Sequence, residues 1–337
     1  MELDTDDVVQ IAGTGSLPPS GELDELLGRA HERALGHHEG VVADYIPILA
    51  TADPEAFGVC IADVAGQLHE IGQTRIEFSI QSISKAFVYA LLCDALGHHQ
   101  AFDVVGVNNT GLPFNSVVAI ELNDGHPMNP MVNAGALATT ALLPGATAAD
   151  QWQLLQDGLS RFAGRPLKVD EEVYRCEAET NHRNRAIAQL LQSYGRIQRD
   201  PAETVDIYTR QCALRVDARD LAIMGATLAD GGVNPLTGDR VVAADVARDT
   251  LAVLASAGLY ERSGEWLFEI GLPGKSGVAG GLVAVAPGKV GIGSYAPLLD
   301  PAGNSVRGQI ATAYLSRALG LNIFASASHY AGTGHPG

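Results

Sequence analysis

The sequence predicts an α/β protein in which a mixed antiparallel sheet flanked by helices carries an all-helical lobe as a long insert. Three observations predict this. Short apolar runs between Gly and Pro breaks occur near both ends of the chain, at 58–63 and 67–71 and again at 266–270, 281–286 and 290–295. The residues between them are dominated by helical periodicity and cap signals. Hydrophobic residues make up 46% of 337, with Gly and Pro spread along the chain, as in an ordinary globular protein with a sizeable core. Strands at the two ends can share one sheet. The expectation is one domain over 21–330, its sheet lobe at 21–78 and 259–330 and its helical lobe at 79–258. A flexible leader (1–20) and a tail (331–337) flank it.

Taken in order, Leu23, Leu26, Leu27, Ala30 and Ala34 fall at helical spacing, and Gly36 ends that helix. Residues 45–50 read as extended. The runs at 58–63 and 67–71, joined across Ala65-Gly66, read as a hairpin. From Ser82 the pattern is helical, with Ile83, Phe87, Ala90 and Leu91 on one face and Gly97 as the stop. Residues 105–140 read as irregular. Helices follow at 150–163, 182–194, 201–214, 218–229 and 245–257. Asp200-Pro201 supplies a cap and a first-turn proline, and Asp217 caps the next helix. Strands at 266–270, 281–286 and 290–295 then make a meander, and a helix over 304–319 closes the chain.

Composition removes several function classes. A formal charge of −17 disfavours nucleic acid and anionic membrane surfaces, which need clustered cations. Cys60, Cys93, Cys176 and Cys212 show no zinc or redox spacing and read as free thiols. The histidine pairs His37-His38 and His98-His99 lack ligand spacing, so neither metal nor cofactor is expected. The acidic N-terminus lacks an export signal and no apolar run reaches membrane-spanning length, which predicts a cytoplasmic protein.

Chemistry concentrates in two short motifs. Ser82 and Lys85 form an S-x-x-K on a predicted helix start, a spacing that puts hydroxyl and amine on one face. A serine is a weak nucleophile until a base takes its proton, and a desolvated lysine can be that base. Arginine cannot, and only four of the 22 cationic residues are lysines. Downstream, Lys275-Ser276-Gly277 lies between predicted strands. Helix-borne S-x-x-K with a strand-borne K-[ST]-G is the pattern of serine β-lactamases and penicillin-binding proteins. The same stretch nearly makes a P-loop, but Glu269 stands where glycine is required and a strand follows instead of a helix. Gly291-Ile-Gly293 lacks the third glycine of a dinucleotide fingerprint.

Further runs narrow the pattern: Tyr45-Ile-Pro, 78–85, 121–136, Asp206-Ile-Tyr208, 271–278 and 299–308. With these the chain resembles the bacterial-type glutaminases, serine-dependent amidohydrolases on a β-lactamase-like fold, over roughly 22–325. The resemblance implies an enzyme that hydrolyses L-glutamine to L-glutamate and ammonia, without cofactor, as a homodimer or homotetramer. Position by position it implies Ser82 as nucleophile and Lys85 as general base. It implies Tyr45, Asn133, Glu177, Asn184, Tyr208 and Tyr260 as substrate contacts, and Val278 as a backbone donor to the substrate carbonyl. Lys275 and Ser276 support them. The chain departs from the family at Asn181, His182 and Ala279, where Gly, Asp and Gly are usual.

These residues fit the substrate's chemistry. Glu177 can hold the α-ammonium, and asparagines and tyrosines can donate to the α-carboxylate. Ser82 would attack the γ-carboxamide while backbone N–H groups of Ser82 and Val278 hold the oxyanion. A tyrosine, Tyr260 before Tyr208, would protonate the departing ammonia. Two alternatives stay open: a β-lactamase or D,D-peptidase, though no S-D-N triplet occurs, and a binding protein that kept the fold without the chemistry.

Overall fold

The computed structural model describes residues 16–326. The N-terminal part of the expected leader and the tail at 331–337 lie outside the described residues. The first helix, α1 (Ser20–Leu35), buries Leu23, Leu27, Ala30 and Ala34 as its periodicity requires. The hairpin β1 (Gly58–Asp63) and β2 (Leu68–Gly72) follows, then the two-residue β3 (Phe78–Ser79). The long insert runs through α2 (Ser84–Leu96), α3 (His98–Val105), α4 (Val118–Glu121), α5 (Asn133–Leu142) and α6 (Ala148–Ala163). It continues with α7 (Glu171–Thr180), α8 (His182–Ser193), α9 (Pro201–Cys212), β4 (Arg215–Val216), α10 (Ala218–Ala229) and α11 (Ala244–Ala257). The chain closes with α12 (Ser263–Glu269), β5 (Gly274–Ser276), β6 (Gly281–Ala286), β7 (Val290–Tyr295) and α13 (Val306–Ala318).

Strands from the two ends form one antiparallel sheet in the order β2-β1-β7-β6-β5. Its central strands are buried on both faces, and the two-residue period of a strand divides their side chains between two layers. Val59, Ile61, Leu282, Ala284, Val290 and Ile292 join the core under α1 and α13. Cys60 and Ala62 meet Ala222, Ile223 and Ala226 of α10 on the opposite face. That contact explains Gly291-Ile-Gly293. A Cβ on Gly291 would lie 2.2 Å from the Ala222 carbonyl oxygen, and one on Gly293 would lie 2.1 Å from that of Ala218. The glycines let a helix backbone lie directly on the strand.

Asp217 and Asp220 form the capping box that starts α10, and Asp200 caps α9 as expected. α2 differs from the one-faced helix of the sequence reading: every residue from Ser84 to Cys93 is buried, so it is the central helix of the larger core.

Three stretches correct the sequence expectation. Residues 266–269 belong to α12, with Ile270 as its C-cap, and not to a strand: Trp266 and Ile270 are buried one helical turn apart while Phe268 is exposed, so burial at a spacing of four overrides β propensity. Residues 45–50 are not extended; a 3₁₀ turn spans Pro47–Thr51. The irregular span 105–140 contains α4 and the start of α5, whose Ala-rich sequence follows a loop-like Asn-Pro. α7 was not expected from the sequence. Among the described residues, no helix is long and apolar enough to cross a membrane.

Candidate active site

The site begins with a strained turn. Pairing of β3 with β4 and a 2.8 Å bond from the Ile80 N–H to the Leu214 carbonyl fix the backbone as far as residue 80. Gln81 then takes φ 50°, a left-handed conformation that costs a non-glycine residue on the order of 1 kcal/mol. Its surroundings hold it there. The Gln81 amide donates to Ser79 Oγ at 3.1 Å and to Glu177 Oε2 at 3.4 Å. Its carbonyl accepts from Ser84 Oγ at 2.7 Å, and Ser84 Oγ accepts from Gln211 at 2.9 Å. Ser82 lies next, half-buried in a 3₁₀ turn spanning Gln81–Ile83, and Lys85 falls in the first turn of α2. The S-x-x-K motif thus straddles a 3₁₀-to-α junction instead of lying on one regular helix.

Lys85 is 1% exposed. Its amine donates to Asn133 Oδ1 at 2.7 Å and to the Met131 carbonyl at 3.1 Å, and not to Ser82. Burial pulls its pKa down to about 8, against the opposing pull of Cys212 and Glu177. Asn133 passes the contact on, its amide donating to Asn184 Oδ1 at 2.9 Å. The second lysine of the motif pair, Lys275, is fully buried on β5, with its amine bonded to the Ser276 carbonyl at 2.9 Å. Burial and the neighbouring Lys85 push its pKa well below the usual lysine value. Ser276 Oγ donates to Asn304 Oδ1 at 2.6 Å, anchoring the strand end. A Cβ on Gly277 would lie 3.0 Å from the Ile80 carbonyl oxygen and 3.3 Å from the Ile83 side chain, so the chain leaving β5 lies tightly against the nucleophile turn.

Tyr260 is where the two motifs meet. The Lys275 amine lies 4.0 Å from its ring centroid and the Lys85 amine 5.4 Å away. Burial raises the Tyr260 pKa far above the ordinary phenol, and the Ser82 hydroxyl beside it works against that rise. The phenol therefore stays protonated. Like Gln81, Tyr260 is a left-handed non-glycine, at φ 56°. Asn109 secures it by donating to the Tyr260 carbonyl at 3.1 Å.

A cavity of about 370 Å³ opens over Ser82. Six of the residues expected from the sequence line it: Tyr45, Ser82, Asn133, Glu177, Asn184 and Tyr208. Lys85, Tyr260, Val278, Lys275 and Ser276 lie outside this lining set. Tyr260 stands at its margin, with its ring 4.9 Å from that of the lining residue Phe114. Val278 follows directly on Gly277, which packs against Ile80 and Gln81.

Among the described residues Glu177 is the one carboxylate lining the cavity, and burial pushes its pKa up to about 7 against the Gln81 hydrogen bond and the Lys85 charge. A cation beside it in the cavity would favour its ionised form. Cys212 also lines the cavity, but burial raises its thiol pKa and keeps it un-ionised.

Sequence reading missed several lining residues, among them Gln81, Phe114, Thr180, Asn181 and Arg183. Gln81 lay inside the motif, and its role follows from a backbone angle that composition does not encode. Asn181 and Arg183 lie between Glu177 and Asn184, two residues that the family resemblance implies as substrate contacts.

The chain is similar to known proteins in both sequence and fold. The family model described as Glutaminase matches residues 40–324. Glutaminase 2 of Yersinia pestis is 52% identical over 329 residues, which cover 96% of this chain and 97% of the relative. The glutaminase of Mycobacterium marinum is 48% identical, covering 88% of this chain and 92% of its own length. Among solved structures, the probable glutaminase ybaS superposes with a TM-score of 0.90 at 42% identity, over 92% of this chain and all 100% of that one. Mglu in its glutamate form superposes at 0.84 with 40% identity, over 93% of this chain and 71% of that one. The fold, the matched span and these identities together lead to one conclusion: the chain belongs to the glutaminase family.

Proposed function

We propose that this glutaminase hydrolyses the side-chain amide of L-glutamine to L-glutamate and ammonia through a γ-glutamyl ester on Ser82. The observation that carries the reading is the convergence of a nucleophile on a strained turn, two desolvated lysines and one protonated phenol beside a cavity with a single carboxylate. Glu177 receives the α-ammonium. Asn133, Asn184, Tyr45 and Tyr208 surround the rest of the amino acid. Lys85, held near neutrality, takes the Ser82 proton as the hydroxyl adds to the amide carbon; the Ser82 and Val278 N–H groups hold the oxyanion. Tyr260 gives a proton to the amide nitrogen as the C–N bond breaks, Lys85 returns the serine proton to the Tyr260 phenolate, and Lys275 holds its ring. Water then cleaves the ester, Lys85 taking a proton from the water and passing it to the Ser82 oxygen as the ester C–O bond breaks. The contact between Lys85 and Ser82 forms when substrate closes the site, as catalytic hydrogen bonds commonly do. Lobe boundaries near residues 79 and 258, a homodimeric or homotetrameric assembly and a cytoplasmic location belong to the same proposal.

A panel of L-glutamine, L-asparagine, D-glutamine and nitrocefin tests the reading. Ammonia release is expected from L-glutamine, with asparagine and D-glutamine far slower, because the cavity fixes the α-ammonium at Glu177. Nitrocefin turnover at a rate comparable to glutamine would overturn the reading in favour of a β-lactamase.

The two titrating groups give a pH profile. Below about pH 7 Glu177 takes up a proton and loses its attraction for the ammonium. Below about pH 8 Lys85 is charged and cannot accept the serine proton. Hence kcat/KM should rise with pH through both values, with an acid limb approaching about two decades per pH unit. Glu177→Gln should raise KM and reduce that limb to about one decade per unit. An unchanged limb in the variant would remove Glu177 from the assignment.

A further inference from the structure

The run at 299–308 takes no part in the reaction, yet it ends in a charge that the protein buries completely. Arg307, on α13, is 0% exposed. Guanidinium does not lose its proton in proteins, so a buried one is stable only where its donors are used. Here they are divided between two places in the chain. Nε donates to the His37 carbonyl at 2.8 Å and Nη2 to His38 Nδ1 at 3.0 Å. Nη1 donates to the Glu55 carbonyl at 3.2 Å, and Nη2 also to Glu55 Oε2 at 3.0 Å. These two places are the ends of one segment, the connection from α1 to β1. The same run holds that segment a second time. Val41 and Leu299 exchange backbone hydrogen bonds at 3.0 and 2.9 Å, and a Cβ on Gly40 would lie 2.7 Å from the Leu299 carbonyl oxygen.

Between the anchored ends lie Tyr45 and Ile46, both of which line the cavity. Just beyond them the 3₁₀ turn at Pro47–Thr51 lies against α7, the helix that carries Glu177. Tyr45 itself is 58% exposed, so little packing holds it, and its place at the cavity comes from the backbone of the segment. We infer that Arg307 is a positioning residue for substrate binding, one guanidinium that fastens both ends of the segment and so sets Tyr45 against the substrate. The inference rests on the glutaminase reading above and deepens it. Lysine cannot take over this role, because a single ammonium lacks the planar fork that reaches both ends at once.

The test measures kcat and KM for L-glutamine in wild type, Arg307→Lys, Tyr45→Ala and the double variant. Arg307→Lys should raise KM by about tenfold and leave kcat within about threefold, since Ser82, Lys85 and Tyr260 lie on other elements. Tyr45→Ala should raise KM by a similar factor. In the double variant KM should exceed that of Tyr45→Ala by no more than about twofold, because a segment without its tyrosine has nothing left to aim. Glu55→Ala covers the case in which melting curves show that Arg307→Lys does not fold. The Glu55 side chain is 62% exposed, and its loss loosens one end of the segment, so KM should rise by about threefold and only where Tyr45 is present. An arginine that merely stabilised the fold would give losses that multiply in the double variants. That result, a loss carried by kcat, or an unchanged KM in a folded Arg307→Lys enzyme would overturn the inference. Failure of the underlying reading has a different signature: no ammonia release from L-glutamine by wild type.

Discussion

Ser82→Ala is expected to lower ammonia release from L-glutamine by about 10⁴-fold or more, and Lys85→Met to do nearly the same. The reason lies in how the two groups share one step. Without the hydroxyl there is no ester to form, and without the amine the hydroxyl has no acceptor for its proton. Because they act as a unit, the double variant should be no slower than the slower single variant, within about threefold. Methionine suits the second test because it fills a fully buried site with a chain of similar length. It leaves the Asn133 and Met131 oxygens without their donor, so a modest drop in melting temperature should accompany the kinetic loss. Steady-state rates and melting curves of the four proteins settle the matter. Losses that multiply in the double variant, or a Lys85→Met enzyme retaining a tenth of its activity, would contradict the assignment.

Tyr260→Phe should lower kcat on L-glutamine by about 10²–10³-fold, the usual contribution of a positioned acid. The phenylalanine ring can keep its contacts with Lys275 and Phe114, so the change removes the hydroxyl alone. An amide nitrogen cannot leave without a proton, whereas the alkoxide of an acidic alcohol can. A γ-glutamyl ester of such an alcohol should therefore be turned over by the variant within about tenfold of wild type. Tyr208→Phe is the control, since Tyr208 lines the cavity and is also buried. An equal loss on amide and ester in Tyr260→Phe, or the amide-selective loss in Tyr208→Phe instead, would move the acid role away from Tyr260.

Much of this was legible in the sequence because it depends on short-range patterns. The hairpin at 58–72, the strands at 281–295 and the capped helices α9 and α10 each carry their own period and punctuation. The two lysine motifs carried the chemistry, and the chain's scarcity of lysine made them stand out. What escaped had long-range causes. Residues 266–270 have the composition of a strand, and only the burial of Trp266 and Ile270 against the sheet layer makes them a helix. The expected Ser82–Lys85 contact assumed a regular helix. The left-handed Gln81, held by Ser79, Glu177 and Gln211 through Ser84, tightens the turn instead. Tyr260 could be listed from family resemblance, but its place between two lysines from opposite ends of the motif pair is a property of packing alone.

The central claim is a covalent ester on Ser82, and product partitioning tests it most directly. L-glutamine and a γ-glutamyl ester, each supplied to the wild-type enzyme in hydroxylamine, differ only in the group that leaves. If both pass through one ester, the ratio of γ-glutamyl hydroxamate to glutamate must be the same from either, and Ser82→Ala must form neither product at an appreciable rate. A ratio that changes with the leaving group would mean that water attacks the substrate directly, and the account would fail.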